Sequence, residues 1–288
     1  MDRIFRVLIF SIAVSAAAQT PDFSGAWSSA TAIPLERPAR LKDQPFYTPE
    51  QAAQLQKKKT GADDDPVSRL ETGSLMFPSR RTSIITDPPN GLLPPLTPAA
   101  AAIKRDRLER LRVPSGPPDM GTQDRCLIFP TSVPPMIPYR YNSTYQIVQT
   151  GDKVMIEAEM IHSARIIRLD RTAHLPSTIR LWLGDSVGRW EGATLVVETT
   201  NFNDAGGFFG DAGGMYGWDR NMHVVERFSL LDPNTILYRF EVEDPTAYTK
   251  PWKGELTMNR IPNPPFEYAC HEGNRDLPNI LKLTPLQR

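Results

Sequence analysis

Side chains that could transfer protons are concentrated in one stretch, Val154–Asp170. Glu159, His162 and Arg165 follow one another at intervals of three inside an apolar run with β-branched residues. Such a run favours a half-buried strand, whose charged side chains must face water, a partner or a ligand. A bend at His162 would bring the three side chains together as base, acid and anion holder. In a straight strand Glu159 and Arg165 share a face and His162 opposes them, which is an ion pair with a surface histidine.

A second carboxylate, Glu226, lies in an unexpected position. In the segment His223–Phe228 it falls on the same apolar face as Val224. A carboxylate on a core face is costly unless it is paired or lies in a polar cavity, so Glu226 is half of a buried ion pair or part of a site. The predicted catalytic residues are Glu159 and His162 as the acid–base pair, Arg165 for anionic charge, and Glu226, His223 and His271 in support.

Other chemistry has weaker signals. Glycoside hydrolysis needs two facing carboxylates, and Glu157, Glu159, Glu191 and Glu226 are the candidates. Aromatic residues predicted to contact a ligand are Trp182, Trp190, Tyr216 and Trp218, although tryptophans are as readily explained by the core. The four histidines are scattered and show no metal-ligand spacing, so no metal is predicted. We also expect no cofactor.

Charge and composition narrow the class of protein. The 288 residues carry 33 basic and 33 acidic side chains, which gives no electrostatic reason to expect nucleic acid or an anionic membrane as a partner. A hydrophobic content of 40% is enough for a packed core. The 28 prolines are close to twice the average share of about 5%, which favours many extended connections over long helices.

The first 18 residues have the organisation of an export signal. Arg3 and Arg6 precede the apolar core Val7–Val14, and three alanines follow as a cleavage pattern. The apolar run is too short to span a bilayer, which takes about 20 residues. We therefore expect an exported protein, periplasmic or secreted, with no membrane span. In an oxidising compartment Cys126 and Cys270 are a candidate disulfide, with free buried thiols as the alternative.

The remaining chain is predicted to be mainly β. An extended Pro-rich N-terminal strap (residues 19–143) carries two short helices, which begin at Thr48 and at Thr97, the second ending near Arg112. From Thr144 the hydrophobic period is two, which predicts an antiparallel barrel or sandwich over residues 144–288 in one domain. The predicted strands are Thr144–Gln149, Lys153–Ile161, Ala164–Leu169, Thr178–Leu183, Thr194–Thr200, His223–Leu231, Thr235–Glu243, Lys253–Met258 and Phe266–Cys270, with a turn at Asp185–Gly188. The glycine-aromatic loop Asn203–Arg220 is either a lid over the barrel mouth or a connection whose aromatic residues cover the core.

Two resemblances accompany these patterns. The motifs RTSIITDPPNG (Arg81–Gly91), GRWEGATLVVETTNF (Gly188–Phe202), HVVERF (His223–Phe228) and EYACHEGN (Glu267–Asn274) resemble a widespread family of exported bacterial proteins. That resemblance implies export and transfers no catalytic residue. Separately, the short SGAW opening resembles that of lipocalin-like barrels, which implies that Trp27 closes one end of the barrel.

Two functions fit the sequence. The first is an exported, cofactor-independent enzyme that applies Glu/His acid–base chemistry, as a lyase, hydratase, isomerase or hydrolase, to a small polar, carbohydrate-like or phenolic molecule. The second is a non-catalytic lipocalin-like barrel that binds a small apolar or amphiphilic ligand. Convergence of the charged side chains on a central cavity favours the enzyme, and an apolar pocket with those side chains elsewhere favours the binding protein.

Overall fold

The computed structural model describes residues 20–58, 78–139, 142–203 and 220–283. The predicted export signal (1–18) and residues 204–219 of the predicted lid lie outside these ranges. The strands are β1 (Gly25–Ser28), β2 (Ile85–Asp87), β3 (Thr144–Gln149), β4 (Lys153–Ala158), β5 (Ser163–Arg168), β6 (Asp185–Glu191), β7 (Thr194–Thr200), β8 (His223–Asp232), β9 (Thr235–Glu243) and β10 (Trp252–Arg260). The α-helices are α1 (Pro49–Lys58), α2 (Pro98–Arg112) and α3 (Asp276–Leu283).

Nine of these strands form a closed barrel in the order β1-β3-β4-β5-β6-β7-β8-β9-β10, which returns to β1. Strand β2 lies outside this ring and pairs with β10. All neighbours are antiparallel except β5 and β6, which are parallel over two residue pairs. The alternation of buried and non-buried residues along β3, β4 and β9 supplies the inward face of the ring. The mainly β fold with an antiparallel barrel that was predicted from the sequence is confirmed, with the parallel β5–β6 pair as its exception.

The barrel has two different ends. We call the end with the β3–β4, β6–β7 and β8–β9 turns the base, and the end with the β4–β5 turn the mouth. At the base, Trp27 is fully buried and its indole Nε1 donates a hydrogen bond to the carbonyl of Phe23 at 2.8 Å. The guanidinium of Arg260 lies 4.2 Å from the centre of the Trp27 ring. Trp27 is therefore a buried part of the base, and its role in closing that end stays a prediction of the SGAW resemblance.

The interior is filled by a segment of the N-terminal region, which we call the plug (residues 128–137). Val133 and Met136 in the plug are buried. Two inward-facing tyrosines of the barrel bind it: Tyr145 Oη donates to the carbonyl of Thr131 at 2.9 Å, and Met136 N donates to Tyr238 Oη at 3.1 Å. The proline-rich N-terminal region thus enters the barrel as well as packing on it, and it also supplies strands β1 and β2.

Three predicted elements differ from the structure. The predicted turn at Asp185–Gly188 is the start of β6, and the predicted strands Thr178–Leu183 and Phe266–Cys270 are not strands. Position 188 of this strand requires glycine, because a Cβ there would lie 2.7 Å from Ile167 Cγ2 and the neighbours leave no room for a side chain. Both wrongly predicted strands have mixed polar and apolar residues, and Leu181 makes a single bridge to Phe202.

The helices begin as expected from their capping residues. Thr97 Oγ1 accepts a hydrogen bond from Ala100 N at 3.2 Å, and α2 ends at Arg112. Thr48 Oγ1 accepts from Gln51 N at 3.2 Å at the start of α1. Among the helices of the described ranges, none has the length and apolar character needed to cross a membrane.

Candidate functional site

Glu159 holds chain segments together at the mouth. It is 7% exposed, and its two carboxylate oxygens accept hydrogen bonds from Asn142 Nδ2 at 2.8 Å and from Phe266 N at 3.0 Å. Phe266 belongs to the C-terminal segment that follows β10. Glu159 therefore connects the β4–β5 turn to that segment.

His162 lies on the outside of the same turn. Its Nε2 is 2.7 Å from Glu157 Oε1, and its side chain is 52% exposed. The bend predicted at this point is present, since Ile161 and His162 have φ values of 62° and 55° in the left-handed region. The bend nevertheless gives Glu159, His162 and Arg165 three different partners, so these contacts do not bring the predicted trio together.

Arg165 and Glu226 form a buried ion pair inside the barrel. Their side chains are 3% and 0% exposed, and the guanidinium donates two hydrogen bonds to the carboxylate, at 2.5 and 3.0 Å. Tyr238 Oη donates a third at 2.7 Å. Of the two alternatives for Glu226, the structure shows the buried pair. Its partner comes from a strand 61 residues earlier in the chain.

Burial and pairing fix the charges of this cluster. Burial alone would lower the pKa of Arg165, but the charge of Glu226 and its hydrogen bonds raise that pKa above its ordinary value. Burial, together with the neighbouring charge of Glu226, raises the pKa of Tyr238 well above its ordinary value. Arg165 Nη2 also lies 3.7 Å from the Met136 sulfur of the plug, and its buried Nε has no hydrogen-bond partner. The cluster is an ion pair covered by the plug.

Alkaline pH is expected to destabilise the protein through Tyr238. Above pH of about 10 the unfolded tyrosine loses a proton that the folded one keeps, so the stability present below that pH is lost as pH rises towards the folded pKa. One such tyrosine contributes up to about 1.4 kcal/mol per pH unit. Urea unfolding of wild type and Tyr238→Phe between about pH 9 and about pH 11 measures this. The variant should lose less stability over that interval, and equal losses would show that Tyr238 is not responsible.

The remaining predicted catalytic and ligand-binding residues are dispersed. His223 is half-buried and stands opposite Glu243 in the register of β8 and β9. His271 is exposed in the C-terminal segment. Trp182 is partly buried and packs on the core, and Trp190 stacks on Phe23 with ring centres 5.7 Å apart. Tyr216 and Trp218 lie outside the described residues. In the four described ranges, no group of three or more His, Cys, Asp or Glu side chains is arranged to hold a metal ion.

Sequence reasoning missed a buried carboxylate, Asp185, because it reads as part of a turn. Asp185 is 5% exposed and accepts hydrogen bonds from Leu175 N at 2.9 Å and from the Arg171 guanidinium. His174 Nδ1 lies 3.0 Å from Asp185 Oδ2, the same oxygen that accepts from Leu175 N, whereas the Arg171 guanidinium binds Oδ1. The carboxylate favours the His174 tautomer that has its proton on Nδ1, which leaves Nε2 as an acceptor. The arrangement also fastens the β5–β6 crossover to β6.

The two cysteines form the predicted disulfide, Cys126–Cys270, across 144 residues of sequence. It joins the segment before the plug to a C-terminal arm, which we define as residues 261–283. Between the arm and the mouth lies a cleft of about 580 Å³. That volume is within the range of about 300–1,000 Å³ typical of small-molecule sites.

The lining of the cleft divides into two chemical zones. Phe129 and Met160 are buried, and together with half-buried Ile161 and Tyr268 they provide an apolar floor. The more exposed lining residues carry four carboxylates and one guanidinium: Asp124, Glu267, Glu272, Asp276 and Arg275. The Oε1 atom of Gln123, another lining residue, is buried without a hydrogen-bond partner. The cleft can therefore accept an apolar group below and a positive charge at its rim.

A signal for this cleft is present in the sequence. The motif EYACHEGN places Glu267 and Glu272 on either side of Cys270, but its position over Met160 depends on a disulfide that brings distant segments together. The sequence patterns predict a role for Cys270 and His271 in this segment but none for its acidic residues.

Comparisons with known proteins assign this chain to no family. The sequence matches no described protein family and no curated protein. Among solved structures, it is similar to a mutant of the fluorescent protein UnaG, with 15% identity over 42% of this chain and 72% of that one, at a TM-score of 0.26. It is also similar to a SAHS (abundant heat soluble) protein from Ramazzottius varieornatus, with 9% identity over 41% of this chain and 70% of that one, at a TM-score of 0.20.

Proposed function

We propose that this protein is an exported, non-catalytic barrel that binds a small amphiphilic molecule with a cationic group. The observation that carries the proposal is the cleft between the mouth and the C-terminal arm. Export rests on the signal-like first 18 residues, the resemblance to exported bacterial proteins and a disulfide, a bond that persists in oxidising compartments.

The barrel interior is a poor place for the ligand. The guanidinium buried there, that of Arg165, already has a carboxylate partner, and the plug covers that pair through Met136. A ligand that competed with Glu226 would have to leave a buried charge without compensation, which costs several kcal/mol. The ligand site is therefore assigned to the cleft.

The charge of the rim selects the ligand class. Four carboxylates against one guanidinium produce a negative potential over an apolar floor. An aromatic or alkyl amine satisfies both zones, because its apolar part covers Phe129 and Tyr268 while its ammonium group meets the rim. Buried Gln123 Oε1 adds an acceptor for an N–H donor.

Calorimetric titration with three related probes tests this assignment. Phenethylammonium should bind more tightly than its neutral N-acetyl derivative, and 3-phenylpropionate should bind least. Glu272→Gln should weaken phenethylammonium binding by about two- to fivefold, in the range expected for an exposed charge, and added salt should reduce the difference.

Glu241→Gln provides the matched control, because it makes the same charge change at an outer-wall carboxylate that is paired with Lys253. It should leave the affinity unchanged. Equal affinity for the amine and the carboxylate, or equal effects of the two Glu→Gln changes, would contradict the proposal.

An acid–base enzyme is the second candidate, favoured by the His174–Asp185 pair. An imidazole that is oriented through Nδ1 by a buried carboxylate is suited to accept a proton at Nε2. A substrate panel of carbohydrate-like and phenolic molecules, run on wild type, Glu159→Gln, His162→Ala and His174→Ala, distinguishes the candidates. Turnover that is lost in His174→Ala supports an enzyme, and turnover that survives in all three variants removes these groups from the chemistry.

A further inference from the structure

We propose that the C-terminal arm is a redox-released wall, so that reduction of Cys126–Cys270 opens the cleft and discharges its ligand while the barrel stays folded. This inference concerns regulation and rests on the proposed ligand site. It follows from how the arm is attached.

The arm contributes no side chain to the core. From residue 261 to residue 282 every side chain is exposed or half-buried. Phe266 is 67% exposed. A segment that buries so little apolar surface gains little from packing, so covalent and hydrogen-bonded anchors must hold it in place.

Several contacts fix the arm at the cleft. Phe266 N donates a hydrogen bond to Glu159 at 3.0 Å, the disulfide joins Cys270 to Cys126, and Asn274 Nδ2 lies 3.4 Å from the Cys126 sulfur. The arm also supplies nine of the fourteen residues that line the cleft, including Glu267, Tyr268 and Glu272. Losing the disulfide leaves this wall attached by non-covalent contacts such as the hydrogen bond from Phe266 N to Glu159, each of which is weak because water competes for the same groups.

The two sulfurs differ in their surroundings. Cys126 is buried, whereas Cys270 is half-buried. Asn274 Nδ2 lies 3.4 Å from the Cys126 sulfur and can stabilise negative charge on it. Attack on Cys270 with departure of Cys126 as the leaving thiolate is therefore the favoured direction.

The reaction requires a dithiol reductant. One thiolate of the dithiol attacks Cys270 Sγ, the S–S bond breaks, and its electron pair leaves on Cys126 Sγ, which takes up a proton. The second thiolate of the dithiol then attacks the first sulfur of the same dithiol, which is bonded to Cys270 in the mixed disulfide. Cys270 leaves as a thiol and the reductant leaves as a cyclic disulfide, so two electrons and two protons pass to the protein.

The test compares oxidised protein, protein treated with dithiothreitol, and the Cys126→Ala/Cys270→Ala double variant. Reduction should weaken phenethylammonium binding by at least about tenfold. It should also make Phe266 and Tyr268 the first sites of chymotrypsin cleavage. The near-ultraviolet circular dichroism of the barrel tryptophans should be unchanged. The double variant should behave as reduced protein with or without dithiothreitol.

Three results would overturn the inference: tight binding by reduced protein, unchanged cleavage, or loss of the tryptophan signal, which would mean that arm and barrel unfold together. The cleavage measurement needs no ligand. If oxidised protein binds none of the probes, the proposed function fails, while cleavage still decides whether the arm is released.

Discussion

Replacing Glu226 by alanine is expected to lower the free energy of unfolding by about 3–5 kcal/mol. The change leaves the Arg165 guanidinium buried in the barrel without its carboxylate. Arginine cannot escape this cost by losing its proton, because its pKa is far above neutral. Tyr238 Oη loses its acceptor at the same time. Urea unfolding at neutral pH measures the loss.

Glu191→Ala is the matched control. Glu191 is an exposed carboxylate on the outer wall, 2.9 Å from the Arg227 guanidinium. A fully exposed ion pair is screened by solvent and adds little to stability, so this variant should remain close to wild type. Equal losses from Glu191→Ala and Glu226→Ala would contradict a special cost of the buried pair.

A double variant separates charge from packing. Arg165→Met/Glu226→Gln removes both charges and keeps an amide oxygen for the Tyr238 hydroxyl. We expect it to recover most of the stability that Glu226→Ala loses, since neutral replacements of a buried pair are often tolerated. A double variant as unstable as Glu226→Ala would mean that the loss comes from packing.

Trp27→Ala is expected to cost a similar amount, about 3–5 kcal/mol, because it removes a fully buried tryptophan at the base. Trp27 is fully buried and its indole N–H is bonded to Phe23. The Arg260 guanidinium would then lie over an empty space. Thermal and urea unfolding provide the measurement.

Two further variants make that result specific. Trp190→Ala removes the same kind of side chain from a half-buried position against Phe23, and it should cost clearly less. Arg260→Met should cost about 0.5–2 kcal/mol through the lost cation–π contact. If Trp190→Ala is as damaging as Trp27→Ala, the base is not closed principally by Trp27.

The strand pattern of the barrel could be predicted from the sequence where one face is apolar throughout. Strands β3, β7 and β9 begin and end at the predicted residues. Strand β6 was missed because Asp185 and Gly188 are typical turn residues. Their presence in a strand has tertiary causes: Asp185 is paired with Arg171, and Gly188 lies against Ile167.

The candidate site was less predictable because it also depends on contacts between residues that are far apart in the sequence. The sequence showed that Glu226 must be paired or in a cavity, but its partner, Arg165, could not be selected among many arginines. The proline-rich segment before β3 reads as a surface connection, although Val133 is fully buried in the barrel. The cleft depends on segments that are far apart in the sequence and are brought together by the Cys126–Cys270 bond and the hydrogen bond from Phe266 N to Glu159.

Mapping backbone amide chemical shifts during titration with phenethylammonium tests the central claim most directly. The account predicts that the shifts concentrate around the cleft, at residues 123–129, 160–161 and 267–276. The amide chemical shifts of Glu226 and Tyr238 should not change. Shifts centred on the barrel interior, or none at saturating amine, would contradict a ligand site between the mouth and the C-terminal arm.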